Sequence, residues 1–300
     1  MGMTTEKETA GAIRHIERND PAYPAKLCGI PSEPKELWLL GSLPPEDMPA
    51  VAIVGARRAT SHGRWMAEKL GRELAKLGCC VVSGMAEGID GAAHRGALEA
   101  GGFSLAVLGC GVDICYPRCN HALYSELLNS GGIISEYAPG TQAMPFFFPA
   151  RNRIISGISD LTIVVEARER SGSLITVSHA LSQGRDVMAV PGRPDDPCSA
   201  ACNRLIREGA GCCTCAEDVL EYMQVLPAAA GRKKTDSGAQ SVTLSKSEQL
   251  VLSHLSGEPR HMDSLAEECG IPVSELAVTL VRMELKGLAV AVTPGLYRLN

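Results

Sequence analysis

The sequence predicts an α/β protein with an extended Rossmann-like, mostly parallel sheet and a small C-terminal winged-helix domain. Three short apolar runs end at Gly55, Gly84 and Gly109, and helical segments follow them. Strands that alternate with helices in this way are typical of a parallel sheet. Towards the C-terminus, three helical segments and a hairpin follow a polar stretch, which is the element order of a winged helix.

The sequence VVSGMAEGIDGAAHRGAL, residues 81–98, predicts a strand, a glycine turn and a helix. At the start of a helix several backbone N–H groups lack a partner within the helix, so they favour an anion. Because the carboxyl ends of parallel strands meet at one edge of the sheet, we expect a ligand site there. Gly84 and Gly88 are equally consistent with a close crossing of strand and helix that binds nothing.

The elements are predicted in the following order. Residues 1–45 alternate prolines with apolar residues and predict a short extended lead-in that packs on the main domain. The main Rossmann-like domain spans residues 46–225, and its first helix should bury one face. That face carries Met66, Leu70, Leu74 and Leu77. Further strands are expected over residues 105–109, 133–136, 161–167 and 187–192.

Residues 226–243 have the composition of a flexible linker, and residues 244–300 predict the winged-helix domain. A capping box at Ser245–Glu248 should open its first helix. From Ser241 to Asn300 there are five lysines and arginines against seven aspartates and glutamates. Duplex reading depends on cations that displace counterions, so this composition favours protein contact by the domain instead.

Composition excludes several classes of protein. The 300 residues are 45% hydrophobic with a mean hydropathy of +0.03, and the N-terminus lacks the apolar core of a signal peptide. We therefore expect a cytoplasmic protein without a membrane partner. The twelve cysteines are spread through a chain long enough to bury its own core, which predicts reduced thiols and no metal.

The net charge of −5 argues against nucleic-acid binding through bulk charge. Between Lys76 and Lys233, however, every basic residue is arginine. Arginine presents a planar fork of donors to phosphate and stacks on bases, so an arginine-lined groove is one interpretation. A compositional bias towards arginine codons is the other.

Three of the four phenylalanines stand in the run FFFPARNR, residues 146–153, beside two arginines. The run is consistent with a core plug or with a platform that stacks a base while Arg151 and Arg153 contact phosphates. We expect at least one of these rings to face a ligand. We also expect Arg57, Arg151 and Arg153 to line one groove at the carboxyl edge of the sheet.

Seven segments in order resemble the motifs of the DprA/Smf family: IVGARRATSHG, VVSGMAEGIDGAAHRGAL, LGCGVDICYPRCN, FFFPARNRIISGISDLTIVVEA, SGSLIT, GRDVMAVPGRP and CNRLIREGA. The resemblance implies single-stranded DNA binding and transfer of incoming DNA to the RecA recombinase during natural transformation. It also implies a homodimer formed through the Rossmann-like domain. The sequence departs from the family pattern in its short lead-in and in Ala56, which replaces the more usual serine.

The candidate DNA- or phosphate-binding residues are Gly55, Ala56, Arg57, Arg58, Ser83, Gly84, Gly109, Gly111, Arg118, Phe148, Arg151, Asn152, Arg153, Ser171, Gly172, Ser173 and Thr176.

No catalytic residue and no cofactor is expected. A dehydrogenase fingerprint would need glycine where Ile114 stands, and the segment 171–179 lacks the glutamate of the phosphoribohydrolase signature. Asp90 and His94 are compatible with an acid–base pair, although we expect them to cap the helix after the glycine turn and to orient that turn. A nucleotide-binding sensor or nucleotide-processing enzyme that uses the same glycine-rich pocket is the alternative function.

Overall fold

The computed structural model describes residues 12–225, 246–255, 260–285, 289–293 and 295–299. The chain divides into two units, Met1–Pro227 and Ala228–Asn300, and each is described by itself. The predicted linker over 226–243 and the capping-box serine, Ser245, lie outside the described residues.

The first unit is organised by one nine-stranded sheet. Its strands are β1 (Arg14–Glu17), β2 (Glu36–Gly41), β3 (Ala50–Val54), β4 (Cys80–Ser83), β5 (Ser104–Val107), β6 (Gly131–Ser135), β7 (Leu161–Val164), β8 (Asp186–Ala189) and β9 (Gly211–Cys212). They lie in the order β1-β2-β6-β5-β4-β3-β7-β8-β9. All neighbours from β6 across to β9 are parallel, while β1 and β2 add antiparallel pairs at one side.

Helices cover both faces of this sheet. They are α1 (Ser61–Lys76), α2 (Ile89–Glu99), α3 (His121–Ser130), α4 (Phe147–Ile158), α5 (Ser173–Ser182), α6 (Ala200–Arg207) and α7 (Ala216–Val225). Side chains alternate between the two faces along a strand. Val51 and Ile53 of β3 therefore pack in the core with α1 and α2, while Ala52 and Val54 pack in the core with α4 and α5.

The lead-in contributes more than an extended segment, because β1 and β2 belong to the main sheet. Leu37 and Leu39 of β2 are fully buried in the same core as Ile154 of α4. The prolines that argued against regular structure lie between the two strands and not within them, so they leave the strand pairing intact. The short strand β9 was also not predicted.

Helix α1 buries the face that the sequence predicts, with one exception. Leu70 and Leu74 are fully buried, whereas Leu77 is 45% exposed. The helix ends at Lys76, and Leu77 is its C-cap before Gly78, which has a positive φ of 81°. Leu77 therefore lies past the last helical turn and does not continue the apolar face.

The sheet has a topological switch point beside β3. From β3 the chain proceeds through β4, β5 and β6 in one direction, and then returns to place β7, β8 and β9 on the other side of β3. At such a point the connections after neighbouring strands leave to opposite faces and open a crevice at the carboxyl ends. The fold therefore places a crevice between the segments that follow β3 and β7.

The second unit has the elements of a winged helix. They are α8 (Lys246–His254), β10 (Arg260–His261), α9 (Met262–Cys269), α10 (Val273–Leu285), β11 (Ala289–Thr293) and β12 (Leu296–Leu299). Its three strands form a small sheet in the order β10-β12-β11. Val251, Leu265 and Leu280 bring the three helices into one core. Within the described parts of both units, no helix is long and apolar enough to cross a membrane.

Candidate functional site

A cavity of about 550 Å³ opens at the switch point. Segments after β3, β4 and β7 form its walls together with α4 and the start of α5. From the predicted set it is lined by Gly55, Ala56, Arg57, Arg58, Phe148, Arg151, Asn152, Ser171, Gly172, Ser173 and Thr176. An adjoining cavity of about 210 Å³ adds Gly84 and shares Arg57, Arg58, Phe148 and Arg151 with the first. We call the two cavities together the arginine groove.

The turn that carries Arg57 and Arg58 is held by Glu166, which lies two residues after β7. The Glu166 backbone carbonyl accepts from the Ala56 N–H at 2.8 Å, and its carboxylate accepts from the Thr60 N–H at 2.9 Å and from the Thr60 hydroxyl. Thr60 is also the N-cap of α1 and accepts from the Gly63 N–H at 3.0 Å. Both arginines are exposed on a turn whose backbone is therefore fixed at both ends.

The two glycines of the central turn have a steric role. A Cβ on Gly88, whose φ is 82°, would collide with the backbone carbonyls of Ala56 and Arg57. A Cβ on Gly84 would lie 2.6 Å from Nη2 of Arg151 and 2.7 Å from Oδ2 of Asp90. Gly88 thus permits the close approach to the arginine turn, and Gly84 leaves room for a buried guanidinium.

Arg151 is that buried guanidinium. Its side chain lies in the wall of both cavities, and the residue is only 3% exposed. Its Nη1 donates to the Gly84 carbonyl at 3.0 Å, while its Nε has no hydrogen-bond partner among the residues that the structure describes. Burial lowers the pKa of Arg151 to about 10, so the group stays cationic at neutral pH. A buried cation with an unused donor is suited to bind an anion in the groove.

Arg153 is not in the groove, and the expectation that three arginines line it together is wrong on this point. Its guanidinium makes two bonds of 2.7 Å to the carboxylate of Glu136, and its Nε donates to the Ser32 carbonyl at 2.7 Å. Arg151 and Arg153 both belong to α4. Two residues apart on a helix means about 200° around the axis, so the two side chains point to different sides.

Phe148 faces the groove, as the stacking interpretation of the aromatic run predicts. The Phe148 ring stacks on the Tyr116 ring with 5.3 Å between the two centroids. The guanidinium carbon of Arg57 lies 5.2 Å from the centroid of the Phe148 ring. Phe146 is 63% exposed and Phe147 packs on Tyr137 at 4.0 Å. The run is therefore not a core plug.

Four other predicted residues do not line either cavity. Ser83 is fully buried and its hydroxyl donates to the Ile53 carbonyl at 2.6 Å. A Cβ on Gly109 would lie 3.0 Å from the Phe148 ring, and Gly111 donates its N–H to Thr141. Arg118 is exposed on the short 3₁₀ helix Arg118–Asn120. Gly109 supports the groove through its contact with Phe148, and Arg118 is the one charged residue among these four.

Sequence reasoning missed several groove residues. Arg168 and Arg170 follow β7 and line the larger cavity, and Tyr116 lines the smaller one. Arg168 also donates to the Cys198 sulfur at 3.7 Å. The sequence contains enough information to predict Arg168 and Arg170, because both stand between the end of a predicted strand and the start of the next helix.

Asp90 and His94 do not cap α2, whose N-cap is Gly88. The Asp90 carboxylate accepts from the Gly84 N–H at 3.2 Å, so it orients the turn as expected. Burial raises the pKa of Asp90, and the Arg151 charge opposes that shift. His94 is fully buried, shares a hydrogen bond of 2.7 Å with Ser104, and has a pKa lowered to about 3 by burial. A histidine in that setting is neutral and structural.

The start of α5 closes the groove on the side of β7. Its N-cap, Gly172, provides no side-chain cap, and the Ser171 and Ser173 hydroxyls bond to each other at 2.8 Å. The first N–H groups of a helix carry partial positive charge, which favours an anion. The lining of the groove holds five arginines against two carboxylates, those of Asp90 and Glu87, so positive charge predominates.

The cysteines include one Cys-x-x-Cys spacing, Cys212 to Cys215, which is a spacing found in zinc sites. Within the described residues, no group of three or more histidine, cysteine, aspartate or glutamate side chains could hold a metal ion.

These observations define a class of protein: a Rossmann-like α/β domain with an anion-binding groove at the switch point, joined to a winged helix. The sequence profile of the family described as DNA recombination-mediator protein A matches residues 14–224, and that of the DprA winged helix domain matches residues 235–295. The chain therefore belongs to the DNA recombination-mediator protein A family, which has a role in DNA processing and recombination.

Named relatives agree with this assignment. The chain is 45% identical to the DNA processing protein DprA of Streptococcus pneumoniae over 201 residues, which is 67% of this chain and 71% of that protein. It is 39% identical to Protein Smf of Escherichia coli over 294 residues, or 95% of this chain and 77% of Smf.

Solved structures show the same fold. The X-ray structure of S. pneumoniae DprA has a TM-score of 0.66 at 42% identity and covers 71% of this chain and 75% of that chain. DNA processing protein A from Helicobacter pylori, whose structure concerns its single-stranded DNA binding mode, has a TM-score of 0.64 at 29% identity. That match covers 71% of this chain and 95% of the H. pylori chain.

The arginine turn should lose its order when the Glu166 carboxylate is removed. In Glu166→Ala the Thr60 N–H and hydroxyl lose their acceptor, so we expect the free energy of unfolding to fall by about 1–3 kcal/mol. Amide hydrogen exchange at Thr60 should quicken at the same time. Urea unfolding and exchange measured by NMR test both effects.

The matched control is Glu169→Ala, which removes an exposed carboxylate three residues further on. Its unfolding free energy and its Thr60 exchange should stay at the wild-type values. An unchanged Thr60 exchange rate in Glu166→Ala would show that the turn is held by other contacts.

Proposed function

We propose that the arginine groove binds single-stranded DNA. The observation that carries the proposal is the convergence in one crevice of Arg57, Arg58 and the buried Arg151 with the stacked rings of Phe148 and Tyr116. Guanidinium groups neutralise phosphates, and aromatic faces stack unpaired bases without regard to sequence. The single-stranded DNA binding mode of the H. pylori relative supports the same ligand for this chain.

The shape of the groove favours an unpaired strand over a duplex. In a duplex the base faces are covered by their neighbours, so only the edges are open to a protein. The Phe148 ring can stack on a base only when that base is not stacked and paired within a duplex. The Arg57 guanidinium lies over this ring and is exposed on its turn, so we expect it to move from the ring to a neighbouring phosphate when a base stacks there.

The proposal extends to the biology that the family resemblance implies. Bound DNA is protected from nucleases and is passed to the RecA recombinase during natural transformation, and two copies of the Rossmann-like domain form a homodimer in the cytoplasm. Membership of a recombination-mediator family supports this role. No chemical step is assigned to the groove, so we propose a binding protein and not an enzyme.

A small-nucleotide ligand is the second candidate. A cavity of about 550 Å³ lies within the usual size of a small-molecule site, and the start of α5 with Arg151 suits a phosphate. A labelled oligonucleotide competed by a panel of free nucleotides separates the two functions. Displacement by one nucleotide at micromolar concentration would favour the sensor.

Arg57→Ala should weaken binding of a labelled oligothymidylate and reduce its salt dependence. Each phosphate contact contributes about −0.7 to the slope of log affinity against log salt concentration for a single strand. We expect the slope to become shallower by about that amount when Arg57 is lost. Titrations at several salt concentrations measure it.

Arg14→Ala is the control for that experiment. Arg14 lines a different cavity together with Ala50, which begins β3, and so lies at the opposite edge of the sheet from Gly55. It should keep the wild-type affinity and slope. Equal effects of the two substitutions would contradict the assignment of Arg57.

Phe148→Leu should lower oligonucleotide affinity by about 1–3 kcal/mol, because base–aromatic stacking is lost. The expected change in thermal stability is small, since the ring lies at the groove surface and is only partly buried. The control is Phe103→Leu, because the Phe103 ring packs against the core. It should lower thermal stability without changing the oligonucleotide affinity. The reverse result would assign Phe148 to the core.

A protein that ends at Pro227 should fold and keep its oligonucleotide affinity within a few-fold. The first unit ends at that residue and contains every groove residue. In the second unit the exposed part of α10 includes the uncharged Val278 and Val281, which are 53% and 50% exposed, and one arginine, Arg282. A hundredfold loss, about 2.7 kcal/mol, would mean that the winged helix binds DNA directly.

A further inference from the structure

The exposed face of α1 carries an aromatic cluster that the groove does not use. Trp65 is 55% exposed. The His62 ring stacks on it with 5.7 Å between centroids and 27° between planes, and the Lys69 ammonium lies 5.6 Å from the Trp65 ring centroid. We call His62, Trp65 and Lys69 the tryptophan cluster.

The cluster has no role in the core. Helix α1 packs on the sheet and on α2 through its opposite face, where Ala67, Leu70 and Leu74 are fully buried. Tryptophan has the largest apolar surface of any side chain, and proteins tend to bury most of it. In a chain with 4% aromatic residues, a tryptophan left half in solvent beside a lysine and a histidine ring points to a ligand.

The charge around the cluster is the reverse of the charge of the chain. Residues 57–69 hold four arginines and lysines and one glutamate, whereas the net charge of the whole chain is −5. That glutamate, Glu68, is paired with Arg72 at 2.8 Å. Lys69 is held only weakly by Glu73, at 3.9 Å. The surface therefore attracts an anionic ligand, and Lys69 can turn towards it at low cost.

The cluster lies on the helix that follows the arginine turn. Arg57 and Arg58 lie on the turn that enters α1, and Trp65 lies five residues after the N-cap Thr60. At 1.5 Å per residue this is about 8 Å along the helix axis. A stacked strand rises by about 3.4 Å per nucleotide, so two to three nucleotides span the axial distance from Thr60 to Trp65.

We propose that His62 and Trp65 form a second base-stacking platform, on which single-stranded DNA that leaves the arginine groove continues along α1, with Lys69 contacting its backbone. The inference rests on the proposed function of the groove. Charge favours DNA over a second copy of this chain, because a symmetric dimer places the same patch on both subunits. Such a contact would oppose the cations of residues 57–69 with those of the partner.

The two tryptophans of the chain permit a direct measurement. Trp38 lies on β2 under the His15 ring, at 4.3 Å, and pairs with Ser135 at the far side of the sheet from β7. In the Trp38→Phe background, fluorescence reports Trp65 alone. An oligothymidylate of about 4 nucleotides is expected to fill only the groove, whereas one of about 12 nucleotides is expected to reach Trp65 as well. Both lengths lie within the usual range of site sizes.

The longer oligonucleotide should quench Trp65 fluorescence and the shorter one should not. Trp65→Ala should weaken binding of the longer oligonucleotide roughly five- to hundredfold, the range expected for one lost stacking contact, and leave the shorter one unchanged. Trp65→Phe should recover most of the affinity. Because Trp65 is exposed, neither variant is expected to affect folding, and thermal unfolding verifies this.

The results distinguish failure of this inference from failure of the proposed function of the groove. If neither oligonucleotide binds the wild-type protein, the proposed function of the groove fails and this inference fails with it. If both bind but Trp65 is not quenched and Trp65→Ala keeps full affinity for the longer strand, the platform is overturned and the groove stands. A shift from dimer to monomer in sedimentation of Trp65→Ala without DNA would overturn the platform by assigning the face to self-association.

Discussion

The arrangement of the groove depends on one constraint, the burial of the Arg151 guanidinium at 3% exposure. A charge removed from water must be compensated by partners, or it destabilises the fold by several kcal/mol. Here the compensation comes from the Gly84 carbonyl and the nearby Asp90 carboxylate. The guanidinium therefore fixes the positions of the β4 turn, the first turn of α2 and the middle of α4. Those three segments form one wall of the groove.

A second junction fixes the opposite wall. Glu166 lies two residues after β7 and accepts hydrogen bonds from both Ala56 and Thr60, which frame the arginine turn after β3. Since β3 and β7 are neighbours on the two sides of the switch point, this contact holds the crevice at a defined width. The exposed arginines are thus presented by a rigid backbone. Pre-organised cations bind an anion with little further loss of conformational freedom.

The predictability of the molecule differs between backbone and side chains. Buried parallel strands that end in glycine have a strong local signature, so β3, β4, β5 and β7 and their common edge were predicted. Strands β1 and β2 were missed because they pair antiparallel at the border of the sheet and have prolines between them. Arg151 and Arg153 look equivalent in the sequence. Only the helical path of α4 sends one into the groove and the other to Glu136.

The absence of lysine between Lys76 and Lys233 has a physical interpretation at Arg151. Burial lowers the pKa of this guanidinium from 12.5 to about 10, so it remains charged at neutral pH. A lysine begins near 10.4, and an equal shift would bring its pKa to about 8. A fraction of the protein molecules would then lack the positive charge in the groove. A lysine would also lack the planar guanidinium, in which one nitrogen donates to Gly84 while Nε stays unpaired. A buried arginine therefore keeps its charge over a wider pH range than a buried lysine would, whatever the codon usage of the gene contributes to the arginines on the surface.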